Sequence, residues 1–302
     1  MDTDSDADSR QPAQIERLWT PWRMRYVGGG AGEEGCLFCN RLASGDDARS
    51  LILYRGERVF IIMNLFPYNT GHVMVVPNNH VASPEGADDE TLESIGALLK
   101  PTLRALRRVL NADGFNVGIN VGAVAGAGVV DHLHQHIVPR WQGDANFMPI
   151  LAATMVLPEL IPVTYAKLRA ELGREFSGLA ESLVEVTLVV LSDDSQNVLL
   201  HDAREYTSLP TATAESGEAL WRAAARHVSN LVAEAVLGGW AGGVSVSTVE
   251  PPALTFLTSS EPRGAARFET IERAHTVLQR ESDRRALTNA VSNIGTERTS
   301  PR

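Results

Sequence analysis

Cysteine is scarce in this chain: 302 residues hold two, Cys36 and Cys39, too close together to staple a domain. A disulfide framework is excluded on that ground, and a reduced cytoplasmic setting is the default expectation. Positive charge is short as well, with 27 lysines and arginines against 37 acidic residues and a formal net charge of −10. That balance argues against a nucleic-acid backbone or an anionic membrane as main partner, though it leaves room for a local basic pocket that takes a phosphorylated small molecule. No apolar run is long enough to span a bilayer, and the opening MDTDSDADSRQP is acidic and polar, unlike a signal peptide. No internal repeat is apparent. What remains is an ordinary globular composition, 44% hydrophobic and 21% charged, with length enough for two domains.

Residues 1–13 read as a disordered acidic tail, and structure should begin in the aromatic stretch at 15–27. GGGAGEEG (28–35) reads as a flexible loop. RVFIIMN (58–64) and GHVMVVP (71–77) are β-branched and apolar, which predicts two adjacent strands. The periodicity over 88–114 predicts a long helix that Pro101 should kink or interrupt. FNVGINVG and HLHQHIVPRW read as strands joined by a small-residue loop, with helical pattern again from about 148 and a linker at GREFSGL. Two strands around a turn follow, in LVEVTLVVLSDDSQNVLLHD. A helix is expected over 217–237, a strand at PPALTFLTS, and one closing helix from RFETIERAH onward.

Three of the eight histidines stand on alternate positions in DHLHQHIVPRW (131–141). On an extended chain His132, His134 and His136 share one face, roughly 6.5–7 Å from one to the next. The preceding NVGAVAGAG has almost no side chains, so its backbone N–H groups can approach an anion closely. A neutral imidazole can attack phosphorus and split one transfer into two steps, while its neighbours donate to phosphate oxygens. A tri-histidine metal site and a histidine-bearing core strand are the competing readings. Burying three imidazoles together without a ligand leaves several polar atoms to satisfy, which favours phosphate chemistry.

The motif resembles that of the histidine-triad (HIT) family, His-x-His-x-His followed by apolar residues. LWTPWRMRYV, CLFC, NLFPYNTGHVMVVPNNH, NVGAVAGAG and HLHQHIVPRWQGDANFMP extend the resemblance to the branch that includes bacterial diadenosine tetraphosphate phosphorylases (ATP adenylyltransferases). It covers about residues 14–175. The resemblance implies an α+β, mainly antiparallel HIT-like domain that pairs into a homodimer. It implies His134 as the nucleophile, His136 as its helper, Asn64 on the ribose, and Asn120, Gly126 and Gly128 lining the phosphate loop. Two positions depart from the wider pattern. Gln135 stands where many members have an apolar residue. Gly128-Val129 replaces the Gln-Ser pair of the small HIT hydrolases, which leans toward the phosphorylase-like branch.

The Cys-x-x-Cys at 36–39 has no thioredoxin-like unit around it; spacing alone leaves zinc and unliganded thiols both open. The superfamily resemblance, galactose-1-phosphate uridylyltransferases included, implies a structural zinc held by Cys36, Cys39, His80 and His132. Farther on, 209–230 resembles a Nudix box. Leu209-Pro210, Glu215, Gly217-Glu218 and Arg226 stand, but His227, Asn230 and Leu231 replace the metal-binding glutamates. A hard Mg²⁺ loses most of its ligands by that exchange, so no Mg²⁺ is expected there. The competing reading is an unrelated α/β domain.

The expected organisation is a HIT-like domain over 14–175, a linker at 176–181, a degenerate Nudix-like α/β/α sandwich over 182–292 and a loose tail at 293–302. The expected activity is nucleotidyl transfer through a covalent His134 intermediate, with a dinucleoside polyphosphate such as diadenosine tetraphosphate as substrate and phosphate as acceptor. The rivals are a hydrolase that uses water and a non-catalytic nucleotide-binding regulator.

Overall fold

The computed structural model describes residues 34–144, 159–178, 182–202, 206–242 and 251–299. The expectations for the acidic tail at 1–13, the aromatic start at 15–27, most of the glycine loop at 28–35 and the stretch 148–158 fall outside the described residues.

Two short helices, α1 (Leu37–Ala43) and α2 (Asp47–Ser50), lead into strands β1 (Ile52–Arg55), β2 (Val59–Met63) and β3 (Val73–Pro77). A long helix α3 (Asp89–Leu110) follows, then β4 (Gly114–Ile119) and β5 (Gln135–Arg140). The five strands form one antiparallel sheet in the order β1-β2-β3-β5-β4. VFIIM and VMVVP are buried along their whole length, so β2 and β3 are covered on both faces. Alternation sorts their side chains. Ile61, Met63, Val73 and Val75 pack with Leu133, Ile137 and the α3 residues Ile95, Leu106 and Val109. Phe60, Ile62, Met74 and Val76 turn the other way and gather around Phe38 of α1.

Helix α3 is capped at its start by Asp88, whose carboxylate accepts from the Thr91 N–H at 2.7 Å. It ends at Asn111 in the left-handed region, φ 53°. Pro101 does not interrupt it: the helix runs unbroken for 22 residues. The hydrogen bond Pro101 cannot make would have gone to Ala97, which is exposed, so water can serve that carbonyl.

Helix α4 (Ile161–Phe176) belongs to two cores. Its Tyr165, Leu168 and Leu172 enter the core of the five-stranded sheet, and its Ala166 and Ala170 enter the next one. Arg169, 1% exposed, donates to the carbonyls of Ile52 and Leu53 and pairs with Asp47 at 2.9 Å. Glu171 and Glu175 receive Arg108 of α3, and Glu175 also receives Arg104. The linker expected at GREFSGL is helical as far as Phe176, which stacks on Tyr54 at 3.8 Å.

The rest of the chain supplies β6 (Val184–Ser192), β7 (Asn197–Asp202), β8 (Thr207–Ser208), β9 (Thr211–Ala214), α5 (Leu220–Leu231), β10 (Val236–Trp240), β11 (Ala253–Thr258), β12 (Ala266–Thr270), α6 (Ile271–Val277) and α7 (Glu281–Thr299). Among the described residues its seven strands make a mixed sheet, β10-β11-β6-β7-β12, with β8 on β7 and β9 on β6, in which only the β11–β6 pair is parallel. Val186, Leu188 and Val190 face α5 and α4. Val189, Leu191 and Leu200 face Ala274 of α6 and Leu287 of α7. The result is a three-layer α/β/α arrangement.

Three expectations are corrected here. The helix over 217–237 stops at Leu231, because β-branched Val232 already bridges to Pro262 and the Gly-Gly pair in β10 disfavours helix. The single closing helix is a strand followed by two helices. RFET pairs with β7, and Thr270 then caps α6 by accepting from the Arg273 N–H. The tail expected to be loose from 293 is helical through Thr299.

Candidate active site

The triad is not all strand: β5 starts at Gln135, and His132 to His134 form its extended approach. The Leu133 N–H donates to the Val81 carbonyl at 2.6 Å and pins this approach beside the chain that leaves β3. Alternation persists across the boundary. Leu133 and Ile137 enter the α3 core, while His132 and His134, 1% and 4% exposed, point to the Phe38 face. His136 lies opposite Met74 of β3 and Gly118 of β4, with its ring 4.8 Å from that of His134.

Backbone groups fix which ring nitrogen carries each proton. A carbonyl can only accept, so His132, whose Nε2 is 3.0 Å from the Pro77 oxygen, donates from Nε2. Its Nδ1 is left as a lone pair facing the sulfurs of Cys36 at 3.2 Å and Cys39 at 3.7 Å. His134 donates from Nδ1 to the His132 carbonyl at 2.7 Å, which makes Nε2 its basic nitrogen.

A fourth histidine, which the sequence reading left without a role, sets His136. The Tyr68 N–H donates to Nδ1 of His72 at 3.1 Å, so the His72 proton sits on Nε2. That Nε2 lies 3.0 Å from Nδ1 of His136 and donates to it, which leaves His136 its own proton on Nε2. His134 thus offers a base where His136 offers a donor. His72 is fully buried, and burial, followed by the nearby His136 and His134, pushes its pKa down to about 3. Gly71 delivers it: φ is +78°, and a Cβ there would stand 2.3 Å from Leu110 of α3. The alternation of His72 with Met74 and Val76 can be read in the sequence, but the face they share is set only when β3 pairs with β5.

Asn64 joins the group through His72, its Nδ2 3.4 Å from His72 Nδ1, while its Oδ1 accepts from the Phe66 N–H. Asn120, Gly126 and Gly128 stand on the loop from β4 to His132. The loop leaves beside the triad, because Ile119 pairs with Gln135. Gly126 closes its single helical turn at φ +87°, a conformation suited to glycine.

Cys36, Cys39, His80 and His132 converge with all four ligand atoms within 4.8 Å of one another. Two thiols and two imidazoles are a donor set suited to a tetrahedral divalent metal, and the Pro77 carbonyl orients the His132 ring as outer-shell partners do. Burial, the adjacent Cys36 thiol and its charge raise the Cys39 pKa, so a cation is needed to hold it as thiolate at neutral pH.

A family model described as HIT domain matches residues 46–143. A Mycobacterium tuberculosis protein named AP-4-A phosphorylase is 36% identical over 172 residues, spanning 55% of this chain and 88% of its own length. The chain belongs to the HIT family. An uncharacterised HIT-like protein of Saccharolobus solfataricus is 34% identical over 113 residues, 37% of this chain and 79% of its own. Among solved structures, a zinc-bound histidine triad family protein from Mycobacterium smegmatis aligns with a TM-score of 0.40 and 29% identity, covering 49% of this chain and 99% of that one. The HIT match takes in the triad, His72, His80 and the glycine loop. It leaves out Cys36 and Cys39, α4 and the second sheet.

Of the two glutamates that survive in the Nudix-like box, Glu218 is occupied: it pairs with Arg226 at 2.9 Å and accepts from the Glu215 N–H. Its resemblance to Nudix proteins rests on the sequence box alone.

Two measurements follow. Unfolded imidazole charges near pH 6.5, but His72 stays neutral in the fold down to about pH 3. Stability should therefore be full above pH 6.5 and fall as the pH drops from there toward 3. His72→Gln should flatten part of that slope in urea midpoints taken across the range; an equal slope in both proteins would contradict the assignment. Protein purified without chelator should carry about one divalent metal ion per chain and lose it in Cys39→Ser. Metal-free, fully folded wild-type protein would sink the cluster as a metal site.

Proposed function

We propose that this chain is an enzyme that transfers a nucleotidyl group through a covalent intermediate on His134, with a dinucleoside polyphosphate as substrate and inorganic phosphate as acceptor. The observation that carries the reading is the bond from His134 Nδ1 to the His132 carbonyl, which leaves Nε2 as a nucleophile beside a proton donor. Nε2 attacks the phosphorus next to one nucleoside, an N–P bond forms, and the bond to the bridging oxygen breaks. The Nε2–H of His136 protonates or hydrogen-bonds the departing oxygen. Phosphate then attacks the same phosphorus, the N–P bond breaks and His134 returns to its starting state. Backbone N–H groups around Gly126 and Gly128, with Asn120, hold the phosphates, and Asn64 holds the ribose. The M. tuberculosis relative, an AP-4-A phosphorylase by name, supports this substrate class.

Zinc is the metal this reading places on Cys36, Cys39, His80 and His132, in a structural role that ties α1 to the triad. A homodimer and a cytoplasmic location belong to the same reading. Strand β4 is a sheet edge with Val117 41% exposed, which suits pairing with a second copy. The chain has no helix among its described residues long and apolar enough to cross a membrane.

Incubation with diadenosine tetraphosphate should give ADP plus ATP only when phosphate is present. AMP plus ATP in either buffer would replace phosphate by water as acceptor, and no turnover would favour a binding protein. His134→Ala should lower turnover by more than about a thousandfold while the protein stays folded.

A further inference from the structure

The hydrogen bond to the His132 carbonyl fixes one end of the His134 ring but not its tilt about that bond. A nucleophile must be aimed, and a misplacement of about 1 Å can cost on the order of 10²-fold in rate. Two rings lie against His134. One is His136, 4.8 Å away at 78°. The second is Phe38, 1% exposed, with its centroid 5.2 Å from His134 at 49° and 5.4 Å from His132 at 73°.

Phe38 stands inside the Cys36-Leu37-Phe38-Cys39 run, between two ligands of the candidate metal cluster. It also centres the small core of Phe60, Ile62, Met74 and Val76, against which Val129 of the glycine loop packs. One side chain therefore shares a packed cluster with the proposed nucleophile, a metal ligand and the loop proposed to hold phosphate. We infer that Phe38 is a positioning residue for the transfer step: it sets the tilt of the His134 ring, and the metal knuckle at α1 acts on the chemistry through it. The inference rests on His134 as nucleophile and adds what aims it. Because Phe38 packs against two imidazoles and is itself buried, its loss should change the reaction step more than substrate binding.

The test compares the metal-loaded wild type with Phe38→Leu and, as a control in the same core but outside the ring stack, Phe60→Leu. Metal content and the unfolding midpoint are measured first; Phe38→Met replaces the leucine variant if that one does not fold. Phe38→Leu should lower kcat about 10- to 100-fold with KM within about twofold. In ¹⁵N spectra of histidine-labelled protein, wild-type His134 should be a single Nδ1–H tautomer, and in Phe38→Leu its two ring nitrogens should move toward each other. Phe60→Leu should leave both readouts at wild-type values. An unchanged His134 signature and kcat in Phe38→Leu would overturn the inference, and so would equal losses in Phe60→Leu. If the wild type turns over no dinucleoside polyphosphate, the transfer reading falls, yet the nitrogen spectra still decide whether Phe38 sets His134.

Discussion

Over residues 132–137 an extended chain buries His132, Leu133, His134 and Ile137 and leaves Gln135 and His136 half-buried, and the site is arranged around that pattern. Alternation sends Leu133 and Ile137 into the α3 core and leaves His132, His134 and His136 on the other side. A one-residue slip would bury imidazoles among leucines and valines, so the register is set by hydrophobic burial while its consequence is chemical. The histidine face is then closed by α1, which brings Cys36 and Cys39 to His132 and Phe38 to His134.

Buried imidazoles need partners, and here main-chain groups supply them. The Pro77 carbonyl, the His132 carbonyl and the Tyr68 N–H each hold one ring nitrogen, directly or through His72. The same bonds that satisfy polar atoms make the three histidines inequivalent. His132 presents a lone pair to sulfur, His134 presents a base on Nε2, and His136 presents a proton there. Fixing tautomers with rigid main-chain groups removes rotational freedom that a site built from side chains alone would have to freeze separately.

Much of this was legible in the sequence, for reasons that can be named. The β-branched runs at 59–63 and 73–77 and the capped periodicity of α3 gave the first sheet and its helix, because local pattern and burial agree there. The grouping of Cys36, Cys39, His80 and His132 and the alternate histidines were readable from motif and resemblance. His72 was not, since a lone histidine at a strand entrance means nothing until β3 is paired with β5. The unbroken helix at Pro101 and the split of the last segment turned on solvent access and a threonine cap, which periodicity does not weigh. The domain boundary also hid a tertiary fact: α4 contributes Leu168 to one core and Ala170 to the other, so the two sheets share a helix. Arg174 of that helix donates to the Glu218 and Glu215 carbonyls, and Trp221 of α5 donates to the Val109 carbonyl of α3.

In the proposed mechanism His134, and not its neighbours, carries the group in transit. The most direct measurement is rapid acid-free quenching during turnover of a dinucleoside polyphosphate labelled at its nucleoside-linked phosphorus, followed by digestion and mapping of the label. Transfer through His134 should leave an alkali-stable, acid-labile phosphoramidate on the peptide holding residues 132–136, localised to His134. Label on His136 or His72, or turnover with no protein-bound label at any time, would contradict it.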